Sequence, residues 1–237
     1  MGAPGVYALV VAAGRGERFG AALPKQYASL AGRAVLAWSV DAVMADRRVA
    51  GLRVVIAEQD RALAARALPG LSQEMLIAGG PTRAKSVLNG LVALERNHPD
   101  AWVLVHDAAR PVLPASALAR LLEAGLQSED GAILAVPAGD TLKQAADDGR
   151  IESDVDRTRV WMAQTPQLFP IGRLRLAIER MLARGRVPTD EAGAMQHAGA
   201  RPLLVEGSVR NLKITRPGDL EMAERWVRPD SHRSLAS

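Results

Sequence analysis

The sequence predicts an α/β protein: a largely parallel sheet covered by helices on both faces, with a β-arm protruding from it. Three observations lead there. Apolar runs of strand length alternate with segments of helical periodicity from Val6 to Trp226. Glycine turns stand where apolar runs pass towards helices, first at Gly14, Gly16 and Gly20 and again at Gly79-Gly80. The alternation then breaks between Gly139 and Arg159, where Asp148-Gly149 signals a hairpin.

Taken in order, Val6 to Val11 reads as a buried strand, and Val35 to Met44 is apolar at helical spacing (Val35, Leu36, Val40, Val43, Met44). Leu52 to Ala57 is a strand, Gln59 to Leu68 a helix stopped by Pro69-Gly70, and Glu74 to Ala78 a strand. A helix follows through Glu95, then the strand Ala101 to Val105, the helix Ala115 to Leu126 and the strand Ala132 to Val136. Strands separated by helices need crossover connections, which make a sheet parallel and cover both its faces. The charged stretch over about 138–160 is the arm. With little core of its own, it is stabilised by packing on a second subunit, or else stands as a solvated hairpin. Trp161 to Pro170 returns to the sheet, Ile171 to Ala183 is a helix, and Asp190-Glu191 complements the dipole of another helix start. Leu203 to Glu206 and Asn211 to Thr215 read as late strands, and Pro217 opens a last helix to Trp226. Without repeats or linkers, residues 1–228 are expected to form one domain with an arm, and 229–237 a disordered tail.

Composition narrows the function. At 237 residues and 48% hydrophobic, the chain can bury a substantial core. It has no cysteine, which excludes disulfides, thiolate metal sites and cysteine nucleophiles. The first apolar run is broken by Gly14 and Arg15 and follows no basic segment, so a secretory signal or membrane span is not expected and the cytoplasm is. A net charge of +4 with only 3% aromatics lacks the interleaved stacking residues of nucleic-acid binders and suits a small anionic ligand. Among the 30 basic residues the lysines are Lys25, Lys85, Lys143 and Lys213 alone. In so arginine-biased a chain, Lys25 and Lys213 mark places where a compact ammonium is wanted.

The loop from Val10 to Tyr27 is built to hold phosphate. Gly14, Gly16 and Gly20 permit close backbone approach, while Arg18 and Lys25 add positive charge. Its spacing matches neither a P-loop nor a dinucleotide fingerprint, and a surface loop with turn glycines is the competing reading. At the second glycine turn, free N–H groups, Thr82 or Ser86 suit either a ligand or a plain helix cap. Asp107 follows a strand at the carboxyl edge, where ligands of open α/β sheets gather, and suits Mg²⁺ held through oxygen beside a triphosphate. His106 reads as structural, since no His/Glu cluster suggests zinc.

Together these segments resemble the 2-C-methyl-D-erythritol 4-phosphate cytidylyltransferase family. The resemblance runs from Val10 to about Trp226. It rests on Ala12-Ala13-Gly14 through Arg18, Pro24-Lys25-Gln26-Tyr27, Gly79-Gly80 with Arg83 and Ser86, and Val105-His106-Asp107-Ala108-Ala109-Arg110-Pro111. It continues in Asp140-Thr141-Leu142-Lys143, Asp156-Arg157-Thr158, Gln164-Thr165-Pro166-Gln167, Thr189-Asp190-Glu191 and Asn211-Leu212-Lys213-Ile214-Thr215. It implies a Rossmann-like nucleotidyltransferase fold with a mixed sheet, a homodimer joined by the arm, and cytidylyl transfer from CTP to 2-C-methyl-D-erythritol 4-phosphate with release of pyrophosphate. It implies that Arg18 and Lys25 stabilise the transition state, and that Ala12, Ala13, Gly14, Gly16, Gly80, Ser86 and Ala108 surround the nucleotide. Asp107, Arg110, Thr141, Arg157, Thr189 and Lys213 would surround the second substrate, with Thr141 and Arg157 reaching a neighbour's site and Asp107 near Mg²⁺.

Two positions depart from the family's pattern. Val11 stands where proline is frequent, and Arg210 precedes Asn211 where some related transferases carry a second metal carboxylate, so Asp107 is expected to be the only direct protein ligand. No fused cyclodiphosphate synthase domain is expected after the last helix. A cytidylyltransferase of another polyol phosphate, such as ribitol 5-phosphate, shares most of these features. An NAD-dependent oxidoreductase would need the missing glycine spacing, and a non-catalytic binding module would have no use for Arg18, Lys25, Asp107 and Lys213 together.

Overall fold

The computed structural model describes residues 5–15, 19 and 23–227. In chain order it contains β1 (Val6–Ala12), the short pair β2 (Ser29–Leu30) and β3 (Arg33–Ala34), α1 (Val35–Met44), β4 (Val49–Ile56), α2 (Arg61–Ala67) and β5 (Leu76–Ala78). There follow α3 (Arg83–Glu95), β6 (Trp102–Asp107), α4 (Ala115–Gly125), β7 (Ala132–Pro137), and the arm strands β8 (Leu142–Ala145) and β9 (Ile151–Val155). The chain then runs through β10 (Trp161–Pro170), α5 (Ile171–Ala183), α6 (Glu191–His197), β11 (Leu203–Glu206) and α7 (Pro217–Val227).

Seven strands form one mixed sheet in the order β11-β7-β10-β6-β1-β4-β5, and β10 runs antiparallel to both its neighbours. Side chains of β1 alternate between two cores, as a strand covered on both faces requires. Val6, Ala8, Val10 and Ala12 pack with α1 and α4 residues such as Leu36, Val40, Leu118 and Leu121. Leu9 faces the other way, into a cluster with Val87, Leu91, Leu174 and Ile178 of α3 and α5. In α4 the buried Leu118, Leu121, Leu122 and Gly125 recur at helical spacing, which explains why that helix was legible.

Topology places the site. Successive strands build outward from β1 to β4 and β5, and the chain then returns to lay β6 on the opposite side of β1. Ala12 pairs with Ile56, Ile56 with Ala78, and Val11 with Asp107, so the carboxyl ends of four strands finish level with one another. A crevice opens at such a reversal of strand order.

The expected strand Asn211 to Thr215 is a loop instead. Leu212 and Ile214 imitate strand alternation because both join a small cluster with Phe19, Val35 and Ala109. The backbone of this segment is tied elsewhere: Ile214 N donates to Ala109 O at 2.8 Å. The sequence also gave no notice of the β2–β3 ribbon, whose turn puts Ala31 at φ +48° and Gly32 at φ +82°. Left-handed pairs of this kind match the twist of two-residue hairpins. The arm is a hairpin as read, with Gly149 at φ +81° and Lys143 paired to Asp154 across the strands.

Candidate active site

At the carboxyl edge lies a cavity of about 660 Å³ bordered by both glycine turns, Lys25, Arg83, Asp107 and Lys213. Its first wall leaves β1 at Ala12, Ala13 and Gly14. Gln26 is buried and its Nε2 donates to Ala12 O at 2.7 Å and Gly14 O at 3.0 Å, fastening the start of the loop to the turn that carries Lys25. The Lys25 Nζ donates to Ile214 O at 2.6 Å. Gly16 and Arg18 lie outside the described residues.

The second wall is the turn before α3. A Cβ at Gly79 would stand 2.5 Å from the Cβ of Ala13 and 3.1 Å from Ile56 O, so glycine alone lets the two turns come this close. Thr82 caps α3 through Oγ1, which accepts from Lys85 N at 3.1 Å. Ser86 Oγ accepts from Gly80 N at 3.0 Å and faces Thr82 O at 3.0 Å. The turn that caps α3 is therefore also a wall of the cavity.

Between the walls stands Asp107, a buried carboxylate among three cations. Its Oδ2 meets Lys213 Nζ at 2.8 Å, its Oδ1 meets Arg83 at 3.1 Å, and Arg110 Nε stands 3.8 Å away. Burial by itself would raise its pKa, but Arg83, Lys213 and Arg110 outweigh burial and hold the carboxyl well below the usual range. Arg83 also forks onto Glu191, at 2.6 and 3.1 Å. Arg110 donates to Asn211 O at 2.6 Å, and the Asn211 amide donates to Thr165 O at 2.8 Å, which together fix the loop that presents Lys213.

His106 is fully buried behind Asp107. Its Nε2 lies 3.0 Å from Arg110 O, which can only accept, so Nε2 carries the proton and Nδ1 accepts from Thr165 Oγ1 at 3.2 Å. Burial pushes its pKa down to about 4 and keeps the ring neutral. The structural reading of His106 from sequence agrees with this arrangement.

Of the residues singled out in the sequence, Ala12, Ala13, Gly14, Lys25, Gly80, Ser86, Asp107, Ala108 and Lys213 border one cavity. Arg110 stands behind Asp107 rather than on the lining. Thr141 and Arg157 lie exposed on and beside the arm, and Thr189 is exposed just before α6; none borders the cavity of its own chain. Sequence reading passed over Arg83, Glu191 and Gln26 as site residues, although each sat inside a recognised motif. Their signal was a charged or amide side chain at a helix or turn start, and only the folded chain shows what it ties together.

An open mixed sheet whose glycine turns and cationic side chains converge at its switch point is that of a Rossmann-like nucleotidyltransferase. A family model for 2-C-methyl-D-erythritol 4-phosphate cytidylyltransferase matches residues 6–229. The chain belongs to that family. It is 49% identical over 225 residues to the 2-C-methyl-D-erythritol 4-phosphate cytidylyltransferase of Stenotrophomonas maltophilia strain K279a, covering 92% of this chain and 95% of the relative. The protein of that name from Bordetella petrii is 47% identical over 223 residues, covering 93% and 97%. The crystal structure of the Francisella tularensis 2-C-methyl-D-erythritol 4-phosphate cytidylyltransferase superposes with a TM-score of 0.78 at 32% identity, over 94% of this chain and all of that one.

Proposed function

We propose that this chain transfers the cytidylyl group of CTP to 2-C-methyl-D-erythritol 4-phosphate, giving 4-diphosphocytidyl-2-C-methyl-D-erythritol and pyrophosphate in isoprenoid precursor synthesis. The observation that carries this reading is the meeting of Lys25, Lys213 and Asp107 between two glycine turns at one sheet edge. An oxygen of the acceptor phosphate attacks the α-phosphorus of CTP, the bond to the β-phosphate breaks, and pyrophosphate leaves. Catalysis of such a step is mostly positioning and stabilisation of charge on phosphoryl oxygens. In this reading the backbone of Ala12, Ala13, Gly14 and Gly80, with Ser86 and Ala108, receives the nucleotide. Arg18 and Lys25 stabilise the developing charge, and Lys213 and Arg110 draw in the acceptor phosphate with Thr189.

Thr141 and Arg157 act in the neighbour's site. The catalytic unit is residues 1–228 working as a homodimer, joined by the arm; the expected tail, 229–237, lies outside the described residues. Exposed apolar residues on and beside the arm support this: Ile151 is 68% and Met162 51% exposed. The protein acts in the cytoplasm, and no described helix is long and apolar enough to cross a membrane.

A divalent ion, Mg²⁺ in the first instance, accompanies the triphosphate. Mg²⁺ beside a triphosphate takes most of its ligands from phosphate and water. Asp107 would supply the hard oxygen donor from this chain. When bound, the ion would neutralise triphosphate charge. Calorimetric titration of Mg²⁺ with CTP into wild type and Asp107→Ala tests this: equal metal affinity would remove Asp107 as a ligand.

Pyrophosphate release from CTP, measured with each polyol phosphate in turn, tests the whole reading. Release is expected with 2-C-methyl-D-erythritol 4-phosphate. Release only with ribitol 5-phosphate would replace the acceptor, and release with neither would overturn the reaction.

A further inference from the structure

Arg83 is the first residue of α3, yet its guanidinium reaches across the cavity floor to two carboxylates on two other elements. Both Arg83 terminal nitrogens engage Glu191, at 2.6 and 3.1 Å, while Nε and Nη2 engage Asp107 Oδ1 at 3.2 and 3.1 Å. Glu191 is 2% exposed and opens α6, two residues after Thr189. Only a planar fork joins two carboxylates in this way; an ammonium is a single point. Burial would lower the Arg83 pKa, but Glu191 and Asp107 outweigh it and the group stays charged.

The two helices that Arg83 joins differ in length, thirteen residues against seven. The start of α3 has the Thr82 cap, the Ser86 hydroxyl and buried Ala84, Val87, Leu88 and Leu91. It keeps its place without the Arg83 side chain. The shorter α6 has seven residues; besides Arg83, its start is held by Asp190, which caps Gly193 N at 2.8 Å and receives Gln167 Nε2 at 2.9 Å, by Gln167 Oε1, which accepts from Ala192 N at 2.9 Å, and by buried Ala192, Ala194 and Met195. Cutting the Arg83 link removes a smaller share of what holds the long α3 than of what holds the short α6, so the Thr189 side is expected to loosen before the nucleotide wall does.

We propose that Arg83 and Glu191 form a positioning strut that holds the α6 wall and Asp107 in register with the nucleotide wall, setting the affinity for the acceptor phosphate rather than for CTP. The proposal rests on the functional reading above. Glu191 does not border the cavity, so it acts through Arg83.

The test uses the full-length chain with Glu191→Gln, which keeps the shape but removes the charge, and Arg83→Lys, which keeps the charge but removes the fork. Steady-state rates are measured with CTP and methylerythritol phosphate varied separately. Hydrogen exchange is followed in the ligand-free protein. Losing one buried charge-assisted pair is expected to raise the acceptor KM about tenfold or more in both variants, with the CTP KM within about threefold. Amides over 189–195 are expected to exchange faster, and those over 84–90 unchanged. An equal rise in both KM values, or an acceptor KM within about twofold of wild type with unaltered exchange, would overturn the strut. If wild type releases no pyrophosphate with methylerythritol phosphate, it is the functional reading that fails. The exchange profile alone then decides the strut.

Discussion

Lys25, which the proposed mechanism assigns to catalysis, is tightly held. It leaves a three-residue turn locked by Gln26 to the loop it must serve, and its ammonium reaches the Ile214 carbonyl beside Lys213. If it stabilises charge on the transferring phosphoryl group, Lys25→Ala is expected to lower kcat by about 10³ or more, as loss of phosphoryl-transfer arginines does. A variant within tenfold of wild type would remove it from the mechanism. Lys25→Arg should also lose rate, because the longer fork cannot replace a compact ammonium in so close a space. Gly79 supplies a separate check on the nucleotide side. Gly79→Ala pushes a methyl into Ala13 and is expected to raise the CTP KM about tenfold, leaving the acceptor KM near wild type. Unchanged CTP affinity would mean that the close approach of the two turns has no part in nucleotide binding.

At the scale of elements, the loop that carries Lys213 is held at both ends. Asn211 fastens it to β10, and Asp219 in the first turn of α7 fastens its exit. Asp219 Oδ2 accepts from Thr215 N, Thr215 Oγ1 and Arg216 N, each at 2.8 Å. Burial alone would raise the Asp219 pKa, but these donors lower it below the ordinary carboxyl value. The depressed native value means that the stabilisation is fully present above the unfolded pKa of about 3.9 and is lost as pH falls through the lower native value. Asp219→Ala is therefore expected to destabilise the protein by about 1 kcal/mol at neutral pH, the usual worth of a helix-terminal bond. Urea unfolding should show the gap between wild type and variant narrowing below the unfolded pKa; a gap constant with pH would contradict this account. The last expected strand failed for the same reason that this loop works. Its apolar alternation serves a local cluster, and its polar groups are taken by side chains.

Across the whole molecule, the cavity of one chain lacks Thr141 and Arg157, although both belong to motifs of the family. On the proposed dimer they complete the partner's site, so oligomeric state and activity are coupled. Replacing Ile151, Val155 and Met162 by serine is expected to give a monomer by light scattering with turnover below about 1% of wild type, since site residues are lost as well as contacts. A monomer of full activity would confine the arm to packing. These side chains lie outside the two main cores, so the sheet is expected to melt near the wild-type temperature.

Local chemistry and fold class were legible in short stretches of the chain. Apolar runs of strand length, capped helix starts, the Asp148-Gly149 hairpin and the two glycine turns all follow from interactions within a few residues, and so could be read in order. Even the choice of Lys at positions 25 and 213 stood out against an arginine background, and both border the cavity. Which charges meet was settled by folding. Asp107 lies 24 residues from Arg83 and 106 from Lys213, and Arg83 lies 108 from Glu191. No periodicity records such distances along the chain. They close only when the return of β6 to the far side of β1 brings the strand ends level, placing a buried carboxylate where three cations can balance it.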